Sequence, residues 1–440
     1  MPRRNLLFLL AVCIFTLVCY QKTQTNQYGE LLSESLDLIE RISLEKVKPE
    51  ELFEGAMEGM VDRLNSGGLD ENSSYIPPKT LPEFREMIDQ QFGGVGIEVA
   101  IDSKTREITV VSPLPGSPAF TAGVLAGDKI LRIDDHSTQG MSIRDAASLL
   151  RGKTGDPVNI TVLHQGEDKP VEIKIVRAVI QGETVLGDTR NADGSWNYFL
   201  PGYDRIGYLR ITSFGDETAA ELKRAVQRLV DHDMQGLILD LRDNPGGLLP
   251  AAIGVCDLFI PSGIIVSTRG RDGGNLDAWQ ASGKGAFTKF PMVVLVNQYS
   301  ASASEIVAAC LQDQHRAAIV GQRTYGKGTV QKVIELDDSR GALKLTTASY
   351  WRPSNKNIHR RKDAGENEDW GVSPDSGWEV RVEGDDLTRL RLWRMRRDIS
   401  KAAETAVKAK GADKFVDRQL AKAVECLQKE MGKERVKDEG

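Results

Sequence analysis

The sequence between residues 206 and 375 alternates apolar strand-like runs with helical segments, and this alternation constrains the fold more than any other feature. The strand-like runs and helical segments lie at 206–211, 217–230, 237–240, 292–296, 302–311 and 318–320. Strands that alternate with helices are typical of α/β proteins, so we expect an α/β core in this part of the chain.

The length and composition place the chain among ordinary globular proteins. Its 440 residues are enough for two or three domains, and 40% hydrophobic with 27% charged residues is far from the composition of disordered chains. The net charge of −6 gives no overall basic character of the kind that favours nucleic-acid binding. The five cysteines stand singly, without a C-x-x-C pair or a histidine cluster, so neither a disulfide framework nor a zinc site is expected.

Residues 1–22 have the pattern of an export signal. Arg3 and Arg4 precede an uncharged run at residues 6–20, which polar residues follow. A positive start before about 15 apolar residues is typical of a signal sequence and is slightly short for a spanning helix. Because no small-x-small cleavage site follows, we expect a signal or an uncleaved anchor in the inner membrane, with the rest of the chain exported to the cell envelope or periplasm. The alternative, a buried N-terminal core helix, is disfavoured because no polar residue makes the run amphipathic.

The chain beyond the signal divides into four blocks. Apolar residues recur at helical spacing from residue 28 to residue 64, and a stretch rich in Gly, Ser and Pro at 65–82 predicts a loop. The tail from about residue 387 is rich in Lys, Arg and Glu and helical by composition. The expected blocks are an N-terminal helical region at 23–91, short strands with one helix at 92–180, the α/β core at 181–378 and a C-terminal helical region at 379–440.

The block at 92–180 begins with glycines that favour peptide binding. Glycine-rich turns let successive backbone N–H groups point inward into a nest that holds a carboxylate, and a peptide can then add as a strand beside residues 97–100. Such turns before strands are also common without any ligand. The residues expected to form this site are Gly93, Gly94, Val95, Gly96 and Ile97.

The sequence that follows these glycines resembles the PDZ-domain pattern. The runs SPA at 117–119, AG at 122–123 and GDKILRI at 127–133 carry the resemblance, and a helix predicted at 142–150 continues it. The resemblance covers residues 92–176. It implies a module that binds or senses the free end or an internal strand of a peptide.

Three segments of the α/β core carry its chemistry. In the first, the strand that ends at Asp240 leads into an Asn-Pro-Gly-Gly turn at 244–247. The two glycines can expose backbone N–H groups with no side chain in the way, which is one way to build half of an oxyanion hole. A tight strand-to-helix turn explains the same residues without any chemistry.

The second segment places small residues where a buried strand passes into a helix. The run SASASE occupies residues 300–305. A helix N-terminus favours developing negative charge, so a serine in this run can act as a nucleophile. Ser302 and Glu305 also have the spacing of a capping box, and spacing alone favours capping.

The third segment, at 321–331, places Lys327 between two glycines. It is close to a phosphate-binding loop, but Gly328 stands where that loop needs the hydroxyl of Ser or Thr for magnesium, which disfavours an NTPase. A lysine whose pKa is lowered by burial can instead act as a general base beside a serine.

Together the three segments, in this order after a PDZ domain, resemble the carboxyl-terminal processing peptidases, also called tail-specific proteases. The resemblance runs from about residue 70 to residue 375. It implies a multidomain α/β protein with N-terminal helices, a PDZ domain, a peptidase core similar to the crotonase-like fold and a helical tail. It also implies that Ser302 is the nucleophile, Lys327 the base and Gln331 the residue that orients the base.

The resemblance extends to the groups around the nucleophile. It implies an oxyanion hole made by the N–H of Ala303 and by that of Gly246 or Gly247. Arg151 matches an arginine that links peptide sensing to the active site in some relatives.

The implied enzyme is a serine endopeptidase that uses no cofactor or metal and cleaves exported proteins near their carboxyl termini. Its expected partners are protein or peptide substrates with free, apolar C-termini, a second copy of the chain bound through the terminal helices, and the membrane through residues 6–20. One alternative is a PDZ scaffold with an inactive core, which the filled catalytic positions disfavour. Another is an acyl-CoA lyase or hydratase of the related fold, which needs no PDZ domain and no pairing of Ser302 with Lys327.

Two stretches depart from the family pattern. Residues 355–368 form a longer and more charged stretch than the family leads us to expect, and the motif DENSSY at 70–75 lacks the usual proline. We expect both departures to affect substrate range and the geometry of the surrounding structure rather than the catalytic residues.

Overall fold

The computed structural model describes residues 26–66, 70–82, 84–85, 91–102, 105–114, 117–125, 127–164, 166–191, 195–284, 287–337, 340–365, 367–398 and 415–438. The helices are α1 (Gln27–Ile42), α2 (Pro49–Ser66), α3 (Pro118–Thr121), α4 (Ile143–Leu150), α5 (Thr218–Asp231), α6 (Leu249–Asp257), α7 (Ala303–Asp313), α8 (Gly384–Asp398) and α9 (Arg418–Asp438). The strands are β1 (Ser74–Ile76), β2 (Gln91–Gly94), β3 (Ile97–Ile101), β4 (Ile108–Pro113), β5 (Lys129–Ile133), β6 (His136–Ser137), β7 (Pro157–Leu163), β8 (Val171–Val176), β9 (Ala178–Gln181), β10 (Val185–Leu186), β11 (Thr189–Arg190), β12 (Trp196–Asn197), β13 (Phe199–Leu200), β14 (Tyr203–Ile211), β15 (Gly236–Asp240), β16 (Ile264–Arg269), β17 (Asn275–Gln280), β18 (Met292–Val296), β19 (Ala318–Gly321), β20 (Thr329–Glu335) and β21 (Ala342–Trp351).

The α/β alternation predicted from the sequence is confirmed. Strands β14, β15, β18 and β19 run parallel in that order, and helices α5, α6 and α7 follow β14, β15 and β18 along the chain. Side chains of β15 are buried on both faces of this sheet, because Leu237 and Leu239 pack with the three helices while Ile238 packs with α9. Strands buried on both faces read as continuous apolar runs, which explains why the sequence predicts them well.

The block that resembles a PDZ domain forms a sheet of its own. Its strands lie in the order β3-β4-β5-β7-β8, and all these pairs are antiparallel. Helix α4 begins after Ser142, whose side chain accepts the N–H of Asp145, and it buries Ala146 and Leu150 in the core of this sheet. The helix predicted at 142–150 is thus confirmed.

The chain divides into two compact units. One contains the N-terminal helices, β1 and the segment Gln331–Thr346, and the other contains Pro82–Val330 and the chain from Thr347 onward. In the first unit, β1 pairs antiparallel with β21, with Ser74 opposite Lys344. The prediction of a loop throughout 65–82 is therefore wrong, because pairing with a strand about 270 residues away stabilises a short strand that local composition does not favour.

No helix among the described residues is both long and apolar enough to cross a membrane. The predicted signal or anchor at 1–22 lies outside the described residues.

Candidate active site

Two of the predicted turns lie side by side because they follow neighbouring parallel strands. β15 and β18 pair in parallel, with Asp240 opposite Leu295. The carboxyl ends of parallel strands meet at one edge of a sheet. The Asn-Pro-Gly-Gly turn after β15 and the serine-rich turn after β18 therefore meet at this edge.

Two buried asparagines hold these turns together. The carbonyl of Asn244 accepts hydrogen bonds from Ala301 N and from Ser304 Oγ, both at 3.0 Å. The side-chain oxygen of Asn297 accepts the N–H of Asp243 at 3.0 Å. Sequence reasoning gave neither asparagine a structural role, because only the pairing of the strands brings these partners together.

Ser302 lies where the serine-rich turn enters α7, and it is half-buried. Its backbone has φ 54° and ψ −112°, far from the extended geometry that is usual for an N-cap residue. Strained conformations of this kind cluster at active sites, and nucleophilic serines on sharp strand-to-helix turns are one example. Gly246 packs against this serine so closely that a Cβ at position 246 would lie 2.8 Å from the Cβ of Ser302. Glycine is therefore required at position 246.

The structure distinguishes the two glycines between which the sequence left a choice. The N–H of Gly246 donates to Oδ1 of Asn244 at 2.8 Å and is therefore engaged. Around Gly247, Phe214 N donates to the carbonyl of Gly246 and Leu248 N donates to the carbonyl of Phe214. This parallel bridge leaves the N–H of Gly247 itself without a partner among the described residues.

A second N–H without a partner in the part of the chain that the structure describes belongs to Ala303, the first residue of α7. The first N–H groups of a helix have no acceptor within the helix. That of Ala303 has none elsewhere in the described part of the chain. A Cβ at Gly246 would lie 3.0 Å from Ala303 N, so the glycine turn lies directly beside this N–H.

The loop that carries Lys327 reaches the same edge of the sheet. It follows β19, which pairs in parallel with β18, so that Gly321 lies opposite Val296. The N–H of Tyr325 donates to the carbonyl of Ser300 at 3.0 Å, which ties the loop to the serine-rich turn. Lys327 itself is half-buried.

Glu305 connects the serine turn to the lysine loop. Its carboxylate is fully buried in the first turn of α7. Its Oε2 accepts the N–H of Ser302 at 2.9 Å, as in one half of a capping box, and the N–H of Lys327 at 2.8 Å. Its Oε1 accepts the hydroxyl of Thr324 and the N–H of Gly326, both at 2.6 Å. One carboxylate thus fixes the backbone of both proposed catalytic residues.

The electrostatics of this carboxylate follow from its burial. Removal from water raises the pKa of Glu305 to about 7, while the four hydrogen bonds favour the ionised form. A neutral carboxyl group would place an O–H among donors and lose an acceptor. The four bonds are therefore complete only when Glu305 is ionised.

The charged stretch at 355–368 packs on the lysine loop. Arg360 N donates to the carbonyl of Gly326 at 2.8 Å, and the main chain of His359 lies so close to Gly328 that no Cβ fits there. The guanidinium groups of Arg323 and Arg360 lie over the ring of Trp370, at 3.8 Å and 4.5 Å from its centroid. The stretch therefore packs against the two glycines that flank Lys327.

Gln331 and Arg151 are the remaining residues predicted for the site. Gln331 is the third residue of β20 and belongs to the unit that contains the N-terminal helices, where its Nε2 donates to Oγ1 of Thr346 at 3.3 Å. Arg151 is the exposed C-cap residue of α4, and its N–H donates to the carbonyl of Ala147 at 2.9 Å.

The predicted peptide site lies along β3. This strand is at the end of its sheet, so its outer edge has no strand partner among the described residues. Gly93 and Gly94 belong to β2 and pair with β9, which narrows the predicted nest to the turn at Val95 and Gly96. Gly96 has φ 74°, the positive value that such a turn requires.

Two segments of the sequence match known protein families. Residues 205–376 match Peptidase family S41, and residues 109–164 match the PDZ domain. The chain is 39% identical to the carboxy-terminal-processing protease of Bartonella bacilliformis over 342 residues, which are 76% of this chain and 74% of that protein. The chain belongs to the carboxy-terminal-processing proteases of family S41. It is therefore a serine-type peptidase with a PDZ domain.

Other members of the family are similar over comparable lengths. The carboxy-terminal processing protease CtpA of Bacillus subtilis is 33% identical over 359 residues, 82% of this chain and 70% of that protein. Among solved structures, the photosystem II D1 C-terminal processing protease aligns over 86% of this chain and 99% of its own, with 27% identity and a TM-score of 0.46.

In this S41 peptidase the role of Glu305 was not predicted from the sequence. Ser302 and Lys327 stand out from their motifs, whereas Glu305 was interpreted only as a capping residue. The signal available in the sequence is that Glu305, the fourth residue of the helix predicted at 302–311, directly precedes the apolar run at 306–311. Buried carboxylates require partners, and here the partners include the backbone on both sides of the proposed base.

Proposed function

We propose that this peptidase cleaves exported proteins near their carboxyl termini by a serine–lysine mechanism. Ser302 Oγ attacks the scissile carbonyl, and Lys327 Nζ takes its proton and then donates it to the leaving amine. Gln331 orients the lysine. The observation that carries the proposal is that the buried carboxylate of Glu305 holds the N–H of Ser302 at 2.9 Å and that of Lys327 at 2.8 Å, so both residues belong to one fixed constellation.

The oxyanion of the tetrahedral intermediate would bind to the N–H groups of Ala303 and Gly247. Both lack a partner among the described residues, and the N-terminus of α7 adds its positive dipole. Donors that are fixed before the reaction stabilise the developing charge without any reorganisation. Gly246 serves instead as the close-packed neighbour of Ser302, since its own N–H is engaged by Asn244.

The PDZ domain would bind the tail of the substrate. The outer edge of β3, which has no strand partner among the described residues, can accept the tail as an added strand, and the turn at Val95 and Gly96 can hold its terminal carboxylate. Partly buried Ile97 and Val99 on β3 and Leu149 on α4 offer an apolar surface, which favours tails with small or apolar ends. Arg151, at the end of α4, is the residue proposed to transmit binding to the active site.

Two further features concern assembly and location. Helix α1 has no buried residue, although Leu31, Leu32, Ile39 and Ile42 follow one another at helical spacing and are 40–68% exposed. We propose that a second copy of the chain covers this face, so that Ile42→Glu lowers the mass measured by analytical ultracentrifugation to that of a monomer. The proposed export and membrane attachment rest on the sequence of residues 6–20.

The test of the proposed reaction is the identification of its products. An unstructured protein with an apolar C-terminus is incubated with the wild-type enzyme and with Ser302→Ala, and the fragments are identified by mass spectrometry. We expect new ends near the substrate's carboxyl terminus with the wild type only. Fragments that are identical with Ser302→Ala would refute the assignment of the nucleophile.

A further inference from the structure

The strand that carries Gln331 lies beside a polar cluster that the proposed reaction does not yet use. The cluster consists of the side chains of Asp70, Ser73 and Thr346, all of which belong to the same unit as Gln331. Asp70 and Ser73 come from the DENSSY motif, and Thr346 lies on β21, which pairs with β1 and with β20. Ser73 is 3% exposed, and Thr346 is half-buried.

The hydrogen bonds of this cluster form a connected chain. Asp70 Oδ1 accepts the N–H of Asn72 at 2.8 Å and the hydroxyl of Thr346 at 2.9 Å, and its Oδ2 accepts the hydroxyl of Ser73. Ser73 Oγ in turn accepts the N–H of Thr346 at 2.9 Å. Thr346 Oγ1 then accepts Nε2 of Gln331 at 3.3 Å.

The direction of each bond in the chain is determined by Asp70. An ionised carboxylate can only accept hydrogen bonds, and its bonds to Ser73, Asn72 and Thr346 keep the pKa of Asp70 below its ordinary value despite burial. Thr346 must therefore donate its single hydroxyl proton to Asp70. Its oxygen is left only with acceptor positions toward Gln331.

This direction determines which way the side-chain amide of Gln331 points. Only the NH₂ group of the amide can donate, so it must face Thr346, and the carbonyl oxygen Oε1 becomes the group presented elsewhere. An amide in the opposite orientation would place two acceptors against each other. The chain from Asp70 thus selects one of two amide orientations that are nearly equal in shape.

We propose that Asp70 and Thr346 are positioning residues that fix the amide of Gln331, so that its oxygen, rather than its NH₂ group, is the end of the amide that can accept a lysine N–H. The inference rests on the proposed function of Gln331 and deepens it. It gives the DENSSY motif a role, since Asp70 and Ser73 are the motif residues that reach Thr346.

The first test compares turnover of an unstructured protein substrate. Thr346→Val keeps the shape of the side chain but removes the hydroxyl, and we expect kcat to fall by about tenfold with KM unchanged, near the upper limit for one hydrogen bond. Thr346→Ser restores the hydroxyl and should restore kcat. Thr347→Val, the same change on the opposite face of the strand at an exposed position, is the matched control.

A double-mutant cycle shows whether Thr346 acts through Gln331. The loss caused by Thr346→Val should disappear in a Gln331→Ala background, because the amide to be positioned is absent. If Gln331→Ala lowers kcat but Thr346→Val does not, or if the two losses add, the positioning role is refuted while the proposed role of Gln331 stands.

A measurement independent of activity separates the two proposals. In the ¹⁵N-labelled full chain, the side-chain NH₂ signal of Gln331, assigned by its loss in Gln331→Ala, should exchange slowly with solvent. Thr346→Val and Asp70→Asn should both accelerate that exchange, and fast exchange in the wild type would overturn the positioning role. A fixed amide together with a normal kcat for Gln331→Ala would instead refute the proposed catalytic role of Gln331 and leave the amide orientation standing.

Discussion

Oε2 of Glu305 accepts the backbone N–H of Lys327 at 2.8 Å. The same oxygen accepts the N–H of Ser302, 25 positions earlier in the chain, at 2.9 Å. A side chain that is fully buried and satisfied by four donors cannot move without breaking several bonds at once. The relative position of the proposed nucleophile and base therefore depends on a residue that need not touch the substrate.

Replacing Glu305 by glutamine should damage the site more than its similar size suggests. The amide has one acceptor oxygen, and its NH₂ group would face two N–H or O–H donors. Each donor left buried without an acceptor costs about 1–3 kcal/mol. We expect the free energy of unfolding to fall by about 2–4 kcal/mol and kcat to fall at least about tenfold, as measured by urea denaturation and by cleavage of an unstructured protein.

Glu221 supplies a matched control for this change. Its Oε2 also accepts several hydrogen bonds, from Thr184 N at 2.9 Å, Thr184 Oγ1 at 2.8 Å and Val185 N at 3.1 Å, but through them it contacts neither the turn of Ser302 nor the loop of Lys327. Glu221→Gln should lower stability and leave kcat near the wild-type value. Equal losses of kcat in the two variants would show that Glu305 acts through general stability alone.

The titration of Glu305 should appear in the pH dependence of stability. Burial raises its pKa from 4.5 to about 7. Between these values the folded protein holds a proton that the unfolded chain has released, so the free energy of unfolding falls as pH rises, by about 3 kcal/mol from this group. Above about pH 7 and below about pH 4.5, Glu305 should make no contribution to the pH dependence of stability.

Urea denaturation of Ser302→Ala across this pH range measures the effect without self-cleavage. Subtracting the same curve for the double variant that also carries Glu305→Gln removes the contributions of other titrating groups, such as Asp240, to the pH dependence of stability. Burial alone would raise the pKa of Asp240, but the charge and hydrogen bonds of Arg242 outweigh it and lower the pKa to about 2, so the contribution of Asp240 to stability is lost only as pH falls from 3.8 toward 2. A difference that stays flat from about pH 4.5 to pH 7 would contradict the raised pKa of Glu305.

The sequence predicts the parallel strands β14, β15, β18 and β19, helices α4, α5 and α7 and the three turns, because each follows from local patterns of apolar and small residues. It does not predict β1, β16, β17, β20 or β21. It cannot predict the links between the turns. Asn244, Asn297 and Glu305 act on residues that only the parallel pairing of β15, β18 and β19 brings near. The proposal of Gly247 rather than Gly246 as an oxyanion-hole donor likewise depends on the bridge to Phe214. A short motif specifies a turn, whereas the neighbours of that turn are specified by the topology of the sheet.

The strained backbone of Ser302 should lower the free energy of unfolding of the protein. With φ 54°, a residue with a Cβ is strained by roughly 1–3 kcal/mol, and glycine is not. Ser302→Gly should therefore raise the free energy of unfolding by about 1 kcal/mol while abolishing cleavage, and Ser302→Ala should abolish cleavage with little change in stability. Urea denaturation and substrate cleavage measure the two effects.

The neighbouring serines provide controls for the same turn. Ser300 Oγ donates to the carbonyl of Leu241 at 2.8 Å, and Ser304 Oγ donates to that of Asn244 at 3.0 Å. Ser300→Ala and Ser304→Ala should each lower stability by about 1 kcal/mol and retain cleavage. Complete loss of cleavage in either variant, with Ser302→Ala active, would show that the nucleophile is the serine replaced in that variant and not Ser302.

The terminal carboxylate of the substrate should contribute to PDZ binding. If it binds to the N–H groups at Val95 and Gly96, amidation removes charge-assisted hydrogen bonds worth about 1.5–3 kcal/mol each. An apolar peptide with a free C-terminus should therefore bind Ser302→Ala more tightly than its amidated form, as measured by calorimetry. Equal affinities would contradict carboxylate recognition, and a peptide ending in aspartate tests the preference for apolar tails.

A lysine base must lose its proton before it can accept one from serine, and this requirement distinguishes Lys327 from a histidine base. An unperturbed imidazole is neutral above about pH 6.5, so its activity reaches a plateau near neutrality. Glu305 also titrates near pH 7, and the discriminating part of the profile is therefore its alkaline limb. We expect kcat/KM of the wild type to continue rising above about pH 8.

Lys327→Arg keeps the positive charge and the backbone N–H that Glu305 accepts, but a guanidinium does not deprotonate in this range. The variant should therefore be folded and inactive at every pH. The measurement is kcat/KM against pH for both proteins with one unstructured substrate. An active arginine variant would exclude Lys327 as the base and leave the turn at Gly326 and Gly328 with a structural role alone.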